Sequence, residues 1–248
     1  MSEIRDYRRS LERSRSALRT IVEPGTFSLR GRRWDMRPGV FSPVCSPTTG
    51  LVMDMLGLGE RPVPRGGSFL EIGCGAGLVA VSAALAGCHR VVASDINAEA
   101  VANTADNAAR HGVADRVEAL HSDLFAGLDP RERFDLVFWS SNYVLAPADY
   151  EYETVHERAY VDAGYATHRR FLAEASDWLT PDGSIVLHFS SRGDLPALLR
   201  LAGEHDLGLR TLRGLTDVEG GVAVEHMLIE VTHQPARPRL ALPLSAAA

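Results

Sequence analysis

The sequence contains no lysine: apart from histidine, all 26 of its basic residues are arginine. That absence excludes Schiff-base lysine chemistry, including pyridoxal phosphate held in the usual way. It also excludes a Walker-type phosphate loop, whose motif requires a lysine. Cysteine is scarce. Cys45, Cys74 and Cys88 are odd in number and lack metal-ligand spacing, so they read as free thiols and no metal site is expected. No apolar run approaches the roughly 20 residues that span a bilayer. The opening MSEIRDYRRSLERSRS is charged where a secretion signal would be apolar, so the expectation is a cytoplasmic protein without a membrane partner.

What is present bounds the answer further. The 248 residues, 45% hydrophobic and 23% charged, have the composition of an ordinary globular protein with one large domain or a domain plus a small appendage. The net charge of −6 argues against non-specific binding along nucleic acid, which needs many phosphate-neutralising cations. The charge is uneven, however: residues 1–37 hold ten arginines against five acids. A solvated helix face is the first reading of that stretch and an RNA-binding arm the second.

Apolar spacing over residues 3–21 predicts an amphipathic helix that Pro24-Gly25 ends. Thr26–Leu29 and Arg33–Met36 read as a short hairpin, and "VFSPVCSPTTG" (40–50) as a loop leading into a helix over Thr49–Leu56. Strands are then predicted at Ser68–Ile72, Arg90–Ser94, Val117–His121, Phe134–Trp139 and Ile185–Phe189, with weaker ones at Leu209–Leu215 and Val222–Val231. Helices are predicted at Leu78–Ala86, Ala98–His111, Tyr160–Leu179 and Leu195–His205. Short apolar strands alternating with helices make an α/β protein with a parallel sheet covered on both faces. The division expected is an N-terminal helix-and-hairpin cap (1–45), a catalytic domain (46–234) and a disordered tail (235–248).

Three of those strands end in ligand-type residues. The first ends in Glu71-Ile-Gly-Cys-Gly-Ala-Gly77, a glycine-rich turn that allows a ligand to approach the backbone at a helix start. Its G-x-G-x-G spacing differs from the G-x-G-x-x-G of dinucleotide sites. The second ends in Asp95, placed where an acid can bind both ribose hydroxyls, and the third in Asp123, which could accept from an adenine amino group. Each acid alone could equally be a helix cap; with the glycine turn, the three favour a nucleotide-type cofactor.

On these residues the chain resembles the class I S-adenosylmethionine-dependent methyltransferases over roughly 68–190. The resemblance implies a Rossmann-like seven-stranded, mostly parallel sheet with an antiparallel last strand. It also implies that Glu71, Gly73, Cys74, Gly75 and Gly77 cradle the methionine part of the donor. Asp95 would then hold the ribose and Asp123 the adenine, with Ile96, Leu124 and Ser140 also at the cofactor. "NAARHGVADRVEALHSDLFAGLDPRERFDLVFWSSNYV" is similar, more narrowly, to the HemK-type glutamine methyltransferases. That family carries Asn-Pro-Pro-Tyr after the fourth strand, where this chain has Ser140-Ser141-Asn142-Tyr143. Ser140 offers no carboxamide at that point and Ser141 lacks the stiffness of proline. The expectation is a clamp beside the donor built by Ser140, Asn142 and Tyr143, but not built for glutamine in the family's way.

Residues 143–165 hold five of the six tyrosines and five acids. They read either as an aromatic, acidic flap gripping a cationic amine or guanidinium, or as a solvated loop anchored by tyrosines. Asp149, Glu151, Glu153 and His156 are the candidate bases, Glu151 foremost. The expected activity is N-methylation of a small amine-, amide- or guanidine-bearing metabolite. The competing readings are a protein glutamine or arginine methyltransferase, an RNA methyltransferase, and a cofactor-binding subunit without catalysis. The oligomeric state stays open.

Overall fold

The computed structural model describes residues 5–63, 65–219 and 221–233, so the expected tail lies outside the described residues. Helix α1 (Tyr7–Thr20) and the hairpin β1 (Gly25–Leu29) and β2 (Arg32–Met36) come first. After α2 (Thr48–Met55) the chain alternates β3 (Ser68–Ile72), α3 (Leu78–Leu85), β4 (Arg90–Asp95), α4 (Ala98–Arg110), β5 (Val117–His121) and β6 (Phe134–Ser140). Short strands β7 (Leu145–Ala146) and β8 (Asp162–Ala163) pair with each other. Then come α5 (Ala166–Glu174), β9 (Leu179–Ser190), α6 (Leu195–Glu204), β10 (Leu207–Glu219) and β11 (Val222–His233).

The main sheet has seven strands in the order β10-β11-β9-β6-β3-β4-β5. β5, β4, β3, β6 and β9 are parallel; β11 runs antiparallel between β9 and β10. This is the sheet that the resemblance implied. Strand periodicity sorts the core onto two faces. Phe69, Val91, Phe138, Val186 and Leu228 join α2, α3 and α4 on one side, while Leu70, Val92, Val137, Leu187 and Ile229 face α5 and α6 on the other.

From β3 the chain winds outward through β4 and β5, then returns to β6 on the other side of β3. Ligands of such sheets bind at that reversal, beyond the strands' C-terminal ends.

The elements depart from expectation before α5 and at β9, which starts at Leu179, ahead of the expected Ile185–Phe189. The helix expected over Tyr160–Leu179 is only α5, because Gly164 (φ 59°) and Tyr165 (φ 55°) are left-handed and break the backbone before it. Asp162 then accepts from the backbone N–H of Thr167 and His168, while Ala175–Trp178 tighten into a 3₁₀ turn. The hairpin of the expected cap packs onto the main core. Trp34 is fully buried in the same core as Phe69 and Val52. Asn103 and Asn107 of α4 use their carboxamides as a partner for β2, accepting from Arg37 N and Asp35 N and donating to Asp35 O.

Candidate functional site

One cavity lies over the reversal between β3 and β6. The ends of β3, β4, β5 and β6 form its floor; α1, the 41–49 segment and the 155–160 turn stand over it. Its lining includes every cofactor residue expected from the sequence except Gly77, which closes the loop behind it. Gly73, Gly75 and Gly77 all have positive φ (68°, 56° and 78°), which lets the loop fold back onto the start of α3 without side chains in the way. A Cβ on Gly75 would meet nothing within 4 Å, whereas one on Gly77 would fall 2.7 Å from Thr104 Oγ1. Gly75 therefore borders open space and Gly77 abuts protein.

The acids at this end are already engaged with the backbone. Asp95 Oδ2 accepts from Gly75 N at 2.9 Å and Oδ1 from Asn97 N at 2.9 Å, so it ties the glycine loop to β4. Burial raises its pKa, against those two hydrogen bonds. Glu71 is buried beneath the loop and accepts from Ala80 N at 2.8 Å; burial pushes its carboxyl well above the ordinary range. Burial likewise raises the Cys74 thiol, which accepts from Thr104 Oγ1. Asp123 is half-exposed and paired with Arg170 at 2.9 Å. Leu124 beside it is left-handed (φ 53°) and buried, and Ile96 is half-buried at the end of β4.

The other end of the cavity is cationic. Arg13 of α1, Arg158 and Arg192 line it, together with Ser10, Tyr143 and Tyr160. Arg192, with a side chain only 9% exposed, donates to Glu219 at 3.0 Å and to Ser10 Oγ at 3.2 Å, and Arg13 reaches the same carboxylate at 3.3 Å. Arg158 lies over the Tyr152 ring at 4.3 Å. No acid of the 143–165 segment lines the cavity. Glu151 and Asp149 are exposed, Glu153 pairs with Arg15, Glu157 accepts from Tyr150, and Asp162 is buried against His168. The acidic flap expected to face a cationic acceptor thus faces α1, solvent and the protein interior. His156 does line the cavity, hydrogen-bonded through Nδ1 to Ser14.

The polar end of β6 is brought to the cavity as expected. Ser140, Ser141, Asn142 and Tyr143 all line it. Ser140 Oγ sits 3.3 Å from His188 Nδ1, while Ser141 donates to His188 O at 2.8 Å. Asn142 donates both amide hydrogens inward, to Arg158 O at 2.9 Å and Val161 O at 3.0 Å, and its Oδ1 is buried without a hydrogen-bond partner. Tyr143 is a neutral phenol, its pKa pushed up to about 12 chiefly by burial.

Sequence reasoning missed Ser10, Arg13, Arg192, His188, His226 and Glu219. The histidines carried a signal: each interrupts an apolar strand, "IVLHFS" and "EHMLIEV". The arginines carried none, because nothing in the sequence brings α1 beside the end of β9.

Residues 69–183 match a family model described as a methyltransferase domain. The release factor glutamine methyltransferase of Bordetella pertussis is 31% identical over 227 residues, covering 84% of this chain and 81% of that protein. This chain belongs to the class I S-adenosylmethionine-dependent methyltransferases. Within that family the methyltransferase is related to the HemK type. The ribosomal protein uL3 glutamine methyltransferase of Burkholderia pseudomallei is 34% identical over 138 residues, half of this methyltransferase (50%) and 45% of that one. Among solved structures, a 16S rRNA N2 G1207 methyltransferase of T. thermophilus, in complex with AdoMet and guanosine, has the same fold. Its TM-score is 0.59 at 20% identity, over 86% of this chain and 50% of that one. The methyltransferase uses S-adenosylmethionine as its cofactor. The residues present fit that cofactor: Gly75 borders open space where a backbone must be approached, and Glu71, Asp95 and Asp123 line the same end.

Proposed function

We propose that this methyltransferase methylates the nitrogen of a small metabolite that carries both an N–H and an anionic group. The observation that carries this reading is Asn142. Its two donors are spent on carbonyls, so the side chain has only a buried acceptor oxygen to offer at a residue that lines the cavity. A buried acceptor left without a donor costs about 1–3 kcal/mol, and an amine, amide or guanidine N–H would satisfy it.

The anionic part is inferred from the three arginines at the same end. Arg13 and Arg192 share one carboxylate, Glu219, and Arg158 lies over the Tyr152 ring, so the group is net positive, which suits a carboxylate or phosphate on the acceptor. The cationic acceptor expected from the tyrosine- and acid-rich segment has no such support.

The donor end supports the role expected of it. When bound, S-adenosylmethionine supplies a methyl group on a positively charged sulfur. Gly73–Gly77 would lie along its methionine part above Glu71, Asp95 and Ile96 beside the ribose, and Asp123 and Leu124 at the adenine. Ser140, Asn142 and Tyr143 would orient the acceptor, and fixing that geometry supplies much of the acceleration.

A second reading is favoured by one finding: the similarity to a release factor glutamine methyltransferase runs nearly the full length. A glutamine side chain of a protein would meet the same Asn142 acceptor. Methyl transfer from labelled cofactor to L-glutamine, L-arginine, small amines, a release-factor domain and bulk tRNA, run in parallel, tests both. Labelling of a small acid-bearing nitrogen compound is expected; exclusive labelling of the release factor or of tRNA would replace the proposal.

A further inference from the structure

Four side chains run in a line from the cavity to the arginine pair. Ser140 on β6 is the direct register partner of His188 on β9, and Ser140 Oγ lies 3.3 Å from His188 Nδ1. His188 and His226 stack across β9 and β11 with centroids 5.4 Å apart and planes 8° apart, His188 Nε2 lying 3.2 Å from His226 Nδ1. His226 Nε2 is 3.4 Å from Glu219 Oε1, within ion-pair reach, and neither atom has a hydrogen-bond partner. Both rings are fully buried.

We infer that Ser140, His188, His226 and Glu219 form a proton relay that takes the proton released by the methyl acceptor. This inference rests on the proposed nitrogen acceptor.

The tautomers follow from the far end. Glu219 Oε2 accepts from Arg192 at 3.0 Å and Arg13 at 3.3 Å, so the carboxyl is ionised. The nearby His226 lowers its pKa first of all, with Arg13 adding to this against the cost of burial. An ionised Glu219 Oε1 needs a donor, so His226 carries its proton on Nε2 and presents a bare Nδ1. His188 must then hold its proton on Nε2 and leave Nδ1 bare. Ser140 consequently turns its hydrogen toward His188, and its remaining lone pairs are what it can offer the cavity. The reverse chain would point the bare Nε2 of His226 at a carboxylate. His188 is neutral, its pKa driven down to about 3 chiefly by burial. The other groups around the pair are neutral: the edge of the Tyr143 ring packs against His188 (5.6 Å), and Ser141 donates to the His188 carbonyl.

The chemistry balances along this line. The acceptor nitrogen forms the new N–C bond, and the electron pair of the broken C–S bond stays on sulfur. The N–H proton passes to Ser140 Oγ, whose own proton moves to His188 Nδ1. The Nε2 proton of His188 moves to His226 Nδ1, and that of His226 to Glu219. Glu219 is 15% exposed and releases it to water. Each imidazole must regain its starting tautomer before the next turnover.

Two-bond ¹H–¹⁵N spectra of histidine-labelled, cofactor-free protein test the arrangement without any acceptor. Expected are His188 and His226 both neutral and protonated on Nε2, assigned with His188→Asn and His226→Asn. A proton on Nδ1 of either, or a doubly protonated His188 at neutral pH, overturns the relay. Glu219→Gln, checked for folding by thermal unfolding, should release the fixed tautomers. In the transfer assay with L-glutamine or the first panel member labelled, it should lower kcat at least about tenfold. KM should hold within about twofold, the acid limb of the pH profile should disappear, and Glu219→Asp should restore part of the rate. Unchanged kcat and pH profile in Glu219→Gln would overturn it. If no nitrogen acceptor is labelled, the proposed function fails, while the spectra still decide whether the tautomer chain exists.

Discussion

Ser14 Oγ and His156 Nδ1 lie 2.7 Å apart in a buried hydrogen bond, joining α1 to the turn that stands over the acceptor end. The same helix sends Ser10 and Arg13 to the cavity and packs Leu11 against Val144, Tyr160 and Val161. The helix is thus a wall of the cationic end of the cavity, the end proposed for the acceptor, and no part of the glycine-loop end. A protein beginning at Gly25 is expected to bind S-adenosylhomocysteine within about threefold of the full chain yet lose methyl transfer. Removing residues 1–45 also strips Trp34 and Met36 from the main core, and should abolish cooperative unfolding. Calorimetry and thermal unfolding on the two truncations separate these outcomes; full activity in the shorter deletion would contradict the role of α1.

Gly75 and Gly77 should respond oppositely to substitution. Gly75→Val projects into open cavity and is expected to fold, with a backbone cost of about 1–2 kcal/mol, but to lose cofactor binding. Gly77→Ala drives its Cβ against Thr104, including Cα at 2.9 Å, and should destabilise the fold itself. Unfolding midpoints with and without S-adenosylhomocysteine check both.

Asn142 is expected to affect stability as well as turnover. Asn142→Ala leaves the Arg158 carbonyl without its side-chain donor and that of Val161 with Tyr152 Oη alone, which should cost about 1–3 kcal/mol and loosen the 155–160 turn. Turnover should fall at least about tenfold while cofactor affinity is kept. Full activity at unchanged stability would remove Asn142 from the acceptor site.

Glu71 sets a pH dependence. Burial raises its pKa above that of the unfolded chain, so the folded protein holds this proton more tightly. Its contribution to stability is therefore full below the ordinary carboxylate range and is lost as pH rises through the raised value. Glu71→Gln can keep the acceptor for Ala80 N and should be more stable than wild type at neutral pH by about 1–2 kcal/mol, the gap closing in acid. Thermal unfolding of cofactor-free protein across pH measures it; a gap that widens in acid would reverse the assignment.

The sequence by itself determined the sheet and the set of glycines and acids that line one end of the cavity. β3, β4 and β6 are legible because a strand buried on both faces must be apolar throughout, and the glycines and acids at their ends sit in the same few residues of chain. Local chemistry sufficed there. It did not suffice at the acceptor end. The tyrosines and acids of 143–165 looked like a flap, yet Glu157, Asp162 and Glu153 find partners on the protein, and the residues reaching the cavity include Arg13 and Arg192, 179 positions apart. The register of β6, β9 and β11 puts Ser140 opposite His188 and His226 opposite Ser190, diagonal to His188 on the same face, because paired and diagonal neighbours in a sheet share a face whatever their separation in sequence.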